Sequence, residues 1–170
     1  AVWSDDVVSY GESLCGRKAY DLAALRTYSP PFFVLPTSLH IKWKHTGVLP
    51  NLDHVTDAIR HALLDQCPYV IVRSSVVGEE ISSRGKYLSQ TVPTSSGEIL
   101  AAISEIWRDA AEQEDTKASL IAIIVQEAVD AELYGHLSNE RRVSPSPARW
   151  RYEAITSRGK FVASCEFVLH

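Results

Sequence analysis

The segment Leu120-Ile121-Ala122-Ile123-Ile124-Val125-Gln126 constrains this chain more than any other. Six consecutive apolar residues, four of them β-branched and none alternating with a polar one, read as a central strand. Tyr69-Val70-Ile71-Val72 has the same character, that of an interior strand covered on both faces. Further elements must therefore lie on each side of the sheet that holds these strands.

The covering elements are written at other spacings. Arg17 to Thr27 is a short amphipathic helix with Ala19, Leu22, Ala23 and Leu25, stopped by Ser29-Pro30-Pro31. Phe32-Phe33-Val34-Leu35 is a short buried strand closed by Pro36, after which Thr37 and Ser38 can cap a turn of helix. From Asn51 to Gln66, Leu52, Val55, Ile59 and Leu63 repeat at helical spacing, with Asn51 as N-cap and Cys67-Pro68 as the stop. A polar stretch from Arg73 to Lys86 precedes a strand from Tyr87 to Val92. Ser95-Ser96-Gly97-Glu98 opens a helix with Ile99, Ile103, Ile106, Trp107 and Ala110 on one face, and the charged loop Glu112 to Lys117 follows. Later strands are expected near Tyr134–Ser138 and Arg149–Ile155, with a hairpin arm from Lys160 to Leu169 after the Arg158-Gly159 turn. The pattern predicts an α+β (mixed α/β) fold with about three helices, about six strands and a mixed sheet. Its 170 residues suffice for one domain or for two tightly joined subdomains, about 1–115 and 116–170.

Composition narrows the function. Hydrophobic residues are 45% and charged residues 22% of the chain, so a packed globular fold is expected. The net charge is −4, which provides no global basic field for nucleic acid; an anion site must be built locally. With no apolar run of about 18 residues and no charged-then-apolar leader, no membrane partner is expected and the location read is cytoplasmic. Cys15, Cys67 and Cys165 lack C-x-x-C spacing, and the six histidines show no metal-type grouping, so no metal site is assigned. The chain has no methionine, even at position 1, and is expected to be processed, trimmed or part of something longer. It also lacks G-x-S-x-G, G-x-G-x-x-G and the Walker-type phosphate loop.

Three patches carry candidate chemistry. Gly16-Arg17-Lys18 opens a helix, where free N–H groups, the dipole and a reachable ammonium all favour phosphate. Arg73-Ser74-Ser75 leaves an interior strand and leads to Gly78-Glu79-Glu80 and Ser82-Ser83-Arg84-Gly85-Lys86. There a guanidinium fork and two hydroxyls stand near a second anion-binding turn. The bland reading is a polar loop with Arg73 paired to Glu79 or Glu80. Third, the buried strand ending in Gln126-Glu127-Ala128-Val129 can offer backbone groups to an adenine edge, or can simply end there.

In order and spacing these blocks resemble the PEP/pyruvate-binding ATP-grasp domain of the phosphoenolpyruvate synthase and pyruvate phosphate dikinase family. Gly16 to Leu25 followed by Pro30-Pro31-Phe32-Phe33-Val34-Leu35-Pro36 resembles the family's opening, with Gly-Arg-Lys where the family has Gly-Gly-Lys. Val72-Arg73-Ser74-Ser75 resembles its arginine-serine-serine block, and Arg84-Gly85-Lys86-Tyr87 stands where the family has a phosphate-covering glycine loop. Val125-Gln126-Glu127-Ala128-Val129 with Tyr134-Gly135 resembles its glutamine-bearing strand and following glycine.

The resemblance spans about residues 11 to 155 and implies the N-terminal part of an ATP-grasp nucleotide-binding fold. It implies ATP as cofactor and magnesium with it, although the family's acidic metal-binding segment is not found in this chain. Lys18 and Arg73 would act on the phosphates, aided by Gly16, Arg17, Ser74, Ser75, Arg84, Gly85 and Lys86. Gln126, Glu127 and Val129 would lie beside the adenine. Partners implied are a pyruvate-like phosphate acceptor and further domains or a second chain completing the cleft, so the isolated chain is expected to be inactive. The alternatives are a non-catalytic module for a nucleotide or phosphometabolite, and a fragment of an antibiotic-phosphorylating relative.

Overall fold

The structure, a computed structural model, describes residues 1–49, 51, 67–79, 87–113, 119–138 and 149–168, with backbone only at 163, 166 and 167. The fold is α+β. The chain divides into two compact units, Ala1–Ala128 and Val129–His170, a boundary that leaves the apolar run from 121 in the first.

The first unit is built on five strands: β1 (Val2–Trp3), β2 (Phe32–Leu35), β3 (Tyr69–Val76), β4 (Ser89–Pro93) and β5 (Ile121–Glu127). Their order is β1-β2-β5-β3-β4, which places the two apolar runs side by side at the centre. Every pairing is antiparallel, with Phe33 opposite Val125 and Val72 opposite Val125 on either side of β5. A mixed sheet was the expectation, and the sheet is antiparallel instead. What the runs report is cover on both faces, and here helices supply it for an antiparallel sheet.

On one face lie α4 (Thr37–Thr46) and α5 (Ser96–Glu112). Ile99, Ala102, Ile103, Ile106, Trp107 and Ala110 of α5 are buried against Val70, Val72, Ile121, Ile123 and Val125. That is the stripe expected from the sequence, and the Ser95 hydroxyl caps α5 by accepting from the Glu98 N–H at 3.3 Å. On the other face lie three short helices, α1 (Val7–Tyr10), α2 (Glu12–Cys15) and α3 (Arg17–Ala24). Gly11 and Gly16 separate them, with φ of 79° and 75° and extended ψ, a region that side chains avoid. Val7, Cys15, Ala19 and Ala23 pack onto Phe32, Val34, Ala122 and Ile124.

Five α-helices and eight strands are thus described, against about three and six expected. The polar stretch expected from Arg73 begins later, since β3 continues through Val76. The helix read over 51–66 and the anion turn at 84–86 lie outside the described residues. In the second unit β6 (Leu133–Ser138), β7 (Arg149–Thr156) and β8 (Phe161–Val168) form an antiparallel sheet in that order, close to the strands read from the sequence. Gly159, at φ 75°, turns β7 into β8, its N–H donating to the Thr156 carbonyl at 2.8 Å. Among the described residues no helix is long and apolar enough to cross a membrane.

Candidate functional site

Pairing fixes which side chains share a face. Arg73 stands opposite Ile124 on one side and Ser89 on the other, Ser75 opposite Ala122, and Ile71 opposite Gln126. Ile124 and Ala122 belong to the layer under α1–α3. Arg73, Ser75 and Gln126 therefore face that layer, whereas Val70, Val72 and Val76 turn to α5.

The helix start at Gly16 docks on this face. A Cβ at Gly16 would collide with the carbonyl oxygen of Ser75, so only glycine allows α3 to approach β3 so closely. The Ser75 hydroxyl accepts the Ala19 N–H at 2.9 Å, taking one of the free donors of the helix start. Lys18 Nζ donates to the Ser74 carbonyl at 3.1 Å and lies 3.8 Å from Glu79 Oε1. Two blocks 56 residues apart in sequence thus meet at one seam.

The cations at this seam differ sharply. Arg17 turns outward, bonded to Asp21 at 3.0 Å and Glu12 at 3.4 Å, and its hydrogen bond to Asp21 holds the guanidinium above its ordinary value. It does not join Lys18. Arg73 is half-buried, its Nε is shut off from solvent, and no acceptor among the described residues meets it. Burial lowers its guanidinium from the ordinary value. Of the links that the bland reading allowed, Arg73 to Glu79 is not formed, since Glu79 faces Lys18 and its side chain is only 6% exposed, and Glu80 lies outside the described residues. Glu12, which nothing in the sequence marks, ties α2 to the turn after β3 by accepting the Gly78 N–H at 3.1 Å.

In the third block the side-chain amide and two backbone donors are engaged within the first unit. Gln126 is buried, and its amide donates to the Ser29 hydroxyl at 2.8 Å and the Pro30 carbonyl at 3.2 Å. The N–H groups of Glu127 and Ala128 donate to the Pro31 and Tyr69 carbonyls at 3.2 and 3.1 Å. Because β5 is interior, these donors are not open to an adenine edge. Val129 is exposed and belongs to the second unit. Arg84, Gly85 and Lys86 lie outside the described residues. A surface cavity of about 390 Å³, bordered by Ser4, Asp5, Arg26, Thr27 and Ser29, opens beside β2 and does not include Lys18 or Arg73.

No group of three His, Cys, Asp or Glu side chains able to hold a metal ion occurs among the described residues. What the seam offers chemically is a guanidinium whose Nε meets no acceptor among the described residues, an ammonium with one hydrogen bond and Glu79 3.8 Å away, and the start of α3. Neither a protein-family model nor a curated protein sequence matches this chain.

Proposed function

We propose that this chain is the phosphate-gripping part of an ATP-dependent phosphotransferase with an ATP-grasp-like fold, of the phosphoenolpyruvate synthase and pyruvate phosphate dikinase kind. One observation carries the reading. Arg73 is half-buried on an interior strand with an Nε that meets no acceptor, beside the residue that anchors Lys18. A buried donor without a partner is unfavourable by about 1–3 kcal/mol, and an anion at the seam removes that penalty. Arg73 offers phosphate oxygens a planar fork, and Lys18 a mobile point charge. Phosphoryl transfer depends mainly on positioning and on neutralising charge, which is what two such cations supply. On this reading magnesium ligands and the phosphate acceptor come from outside the described residues.

Calorimetric titration of the folded chain with ATP and magnesium tests it. Binding in the micromolar-to-millimolar range is expected, lost below detection in Arg73→Ala and in Lys18→Ala. No heat from a sample whose circular dichroism shows it folded ends the reading. ATP consumption in the presence of pyruvate separates a transferase from a module that binds without turnover.

The contacts of Lys18 favour a second reading, in which it only clips α3 to β3. Lys18→Ala would then lower unfolding stability by about 1 kcal/mol and leave the nucleotide heat unchanged.

A further inference from the structure

We propose that Glu79 is an internal counter-ion that holds Lys18 in its resting place and is displaced from it by an arriving polyphosphate. The inference rests on the phosphate-gripping reading in its second half only, and the hold itself stands on geometry. Glu79 follows the turn at the end of β3, its side chain is 94% removed from solvent, and its Oε1 accepts no hydrogen bond. Lys18 Nζ stands 3.8 Å away, inside ion-pair range but too far for a hydrogen bond. The ammonium makes one hydrogen bond, to the Ser74 carbonyl, and its side chain is 34% exposed. Two oppositely charged groups therefore face each other, each short of partners. A buried carboxylate is tolerated only beside a compensating charge, so Glu79 needs Lys18. Lys18, about one-third exposed and held by a single hydrogen bond, can leave for a stronger anion. Glu12, the other carboxylate at the seam, is engaged with Gly78 and Arg17 and does not compete for Lys18.

Glu79 is thus a positioning residue: it keeps the ammonium pointed at the seam and raises the threshold an anion must meet. The test is Glu79→Gln in the full chain, read in two ways. The first is acylation of Lys18 by a water-soluble amine reagent, quantified on its peptide by mass spectrometry. The second is titration with inorganic tripolyphosphate, with and without magnesium. Loss of a partly exposed ion pair corresponds to up to about fivefold in an equilibrium. The expected results are Lys18 labelling up to about fivefold faster and tripolyphosphate binding tighter by a similar factor without magnesium. Glu79→Asp, which keeps the charge, should return labelling toward the wild-type rate. Faster labelling with no tripolyphosphate binding by either protein keeps the hold and overturns the phosphate-gripping reading. Unchanged labelling overturns the hold. Weaker tripolyphosphate binding by Glu79→Gln, above all with magnesium, also overturns it and makes Glu79 a member of the ligand-binding set.

Discussion

Among the described residues, fifteen buried apolar side chains close around Trp107 and Ile121 on the face of the central sheet beneath α4 and α5, whereas nine lie on the face beneath α1–α3, with alanines at 19, 23 and 122. The first face is filled by volume and the second by close approach. Small residues and Gly16 let α3 settle on β3, and Arg73, Ser75 and Gln126 stand on the same face of the sheet. Polar chemistry is found where the apolar layer is thin, because only there can a half-buried cation sit on an interior strand without displacing core.

The contrast can be broken at Gly16. Gly16→Ala places a Cβ into the Ser75 carbonyl at a backbone conformation that side chains avoid, and should destabilise the first unit by about 4 kcal/mol. Gly78→Ala, also at positive φ but with open space around the added atom, should cost about 1 kcal/mol. Equal losses in urea unfolding would show that close approach does not hold this face together.

The filled face has its own point of failure. His40 is 3% exposed, lies against Trp43 and Trp107, and its Nδ1 accepts the Ile121 N–H at 3.2 Å. Burial first, and the charge of Lys44 second, bring its pKa down to about 4. The folded state thus favours neutral His40, while the unfolded state takes a proton below its ordinary value of 6.5. Stability from this residue is complete above pH 6.5 and falls as pH drops from 6.5 to about 4, by about 3 kcal/mol in all. His40→Asn, which can still accept the Ile121 N–H, should flatten that slope in unfolding curves measured across the interval. A slope unchanged in the variant would place the acid sensitivity elsewhere.

A smaller effect sharpens the account of the thin face. Ser75→Ala leaves the buried Ala19 N–H without its acceptor and should cost about 1–2 kcal/mol. Ser95→Ala, at the exposed cap of α5, should cost about 1 kcal/mol or less. The reverse ranking would mean that α3 is held to β3 mainly by its alanines.

Much of the filled face was legible in the chain. The α5 stripe from Ile99 to Ala110, the helix start near Ser95 and the strands holding Ile71 and Ile124 all lie near their expected places, since local periodicity records burial directly. The opposite face was harder to read. Two four-residue helices contain too few turns to show a period, and Val2–Trp3 is too short to stand out as a strand. In α4, Leu39, Ile41 and Trp43 alternate like a strand; the helix turns Leu39 and Trp43 inward and leaves Ile41 partly exposed. β3 outran its expected end at Val72 because Arg73, Ser74 and Ser75 look like loop residues, and only the packing of α3 gives Ser75 the Ala19 N–H to accept.

The sequence by itself determined that two strands had to be covered on both sides, that a helix from Ser96 onward would carry an apolar stripe, and that candidate polar residues stood in three blocks. Only the tertiary structure decided that Lys18 turns in toward β3 while Arg17 turns out, that Glu79 meets Lys18 and not Arg73, and that the donors after Gln126 are already taken. The reason is that these contacts join segments far apart along the chain. Periodicity encodes which way a residue faces, whereas its partner is chosen by how layers pack across that distance.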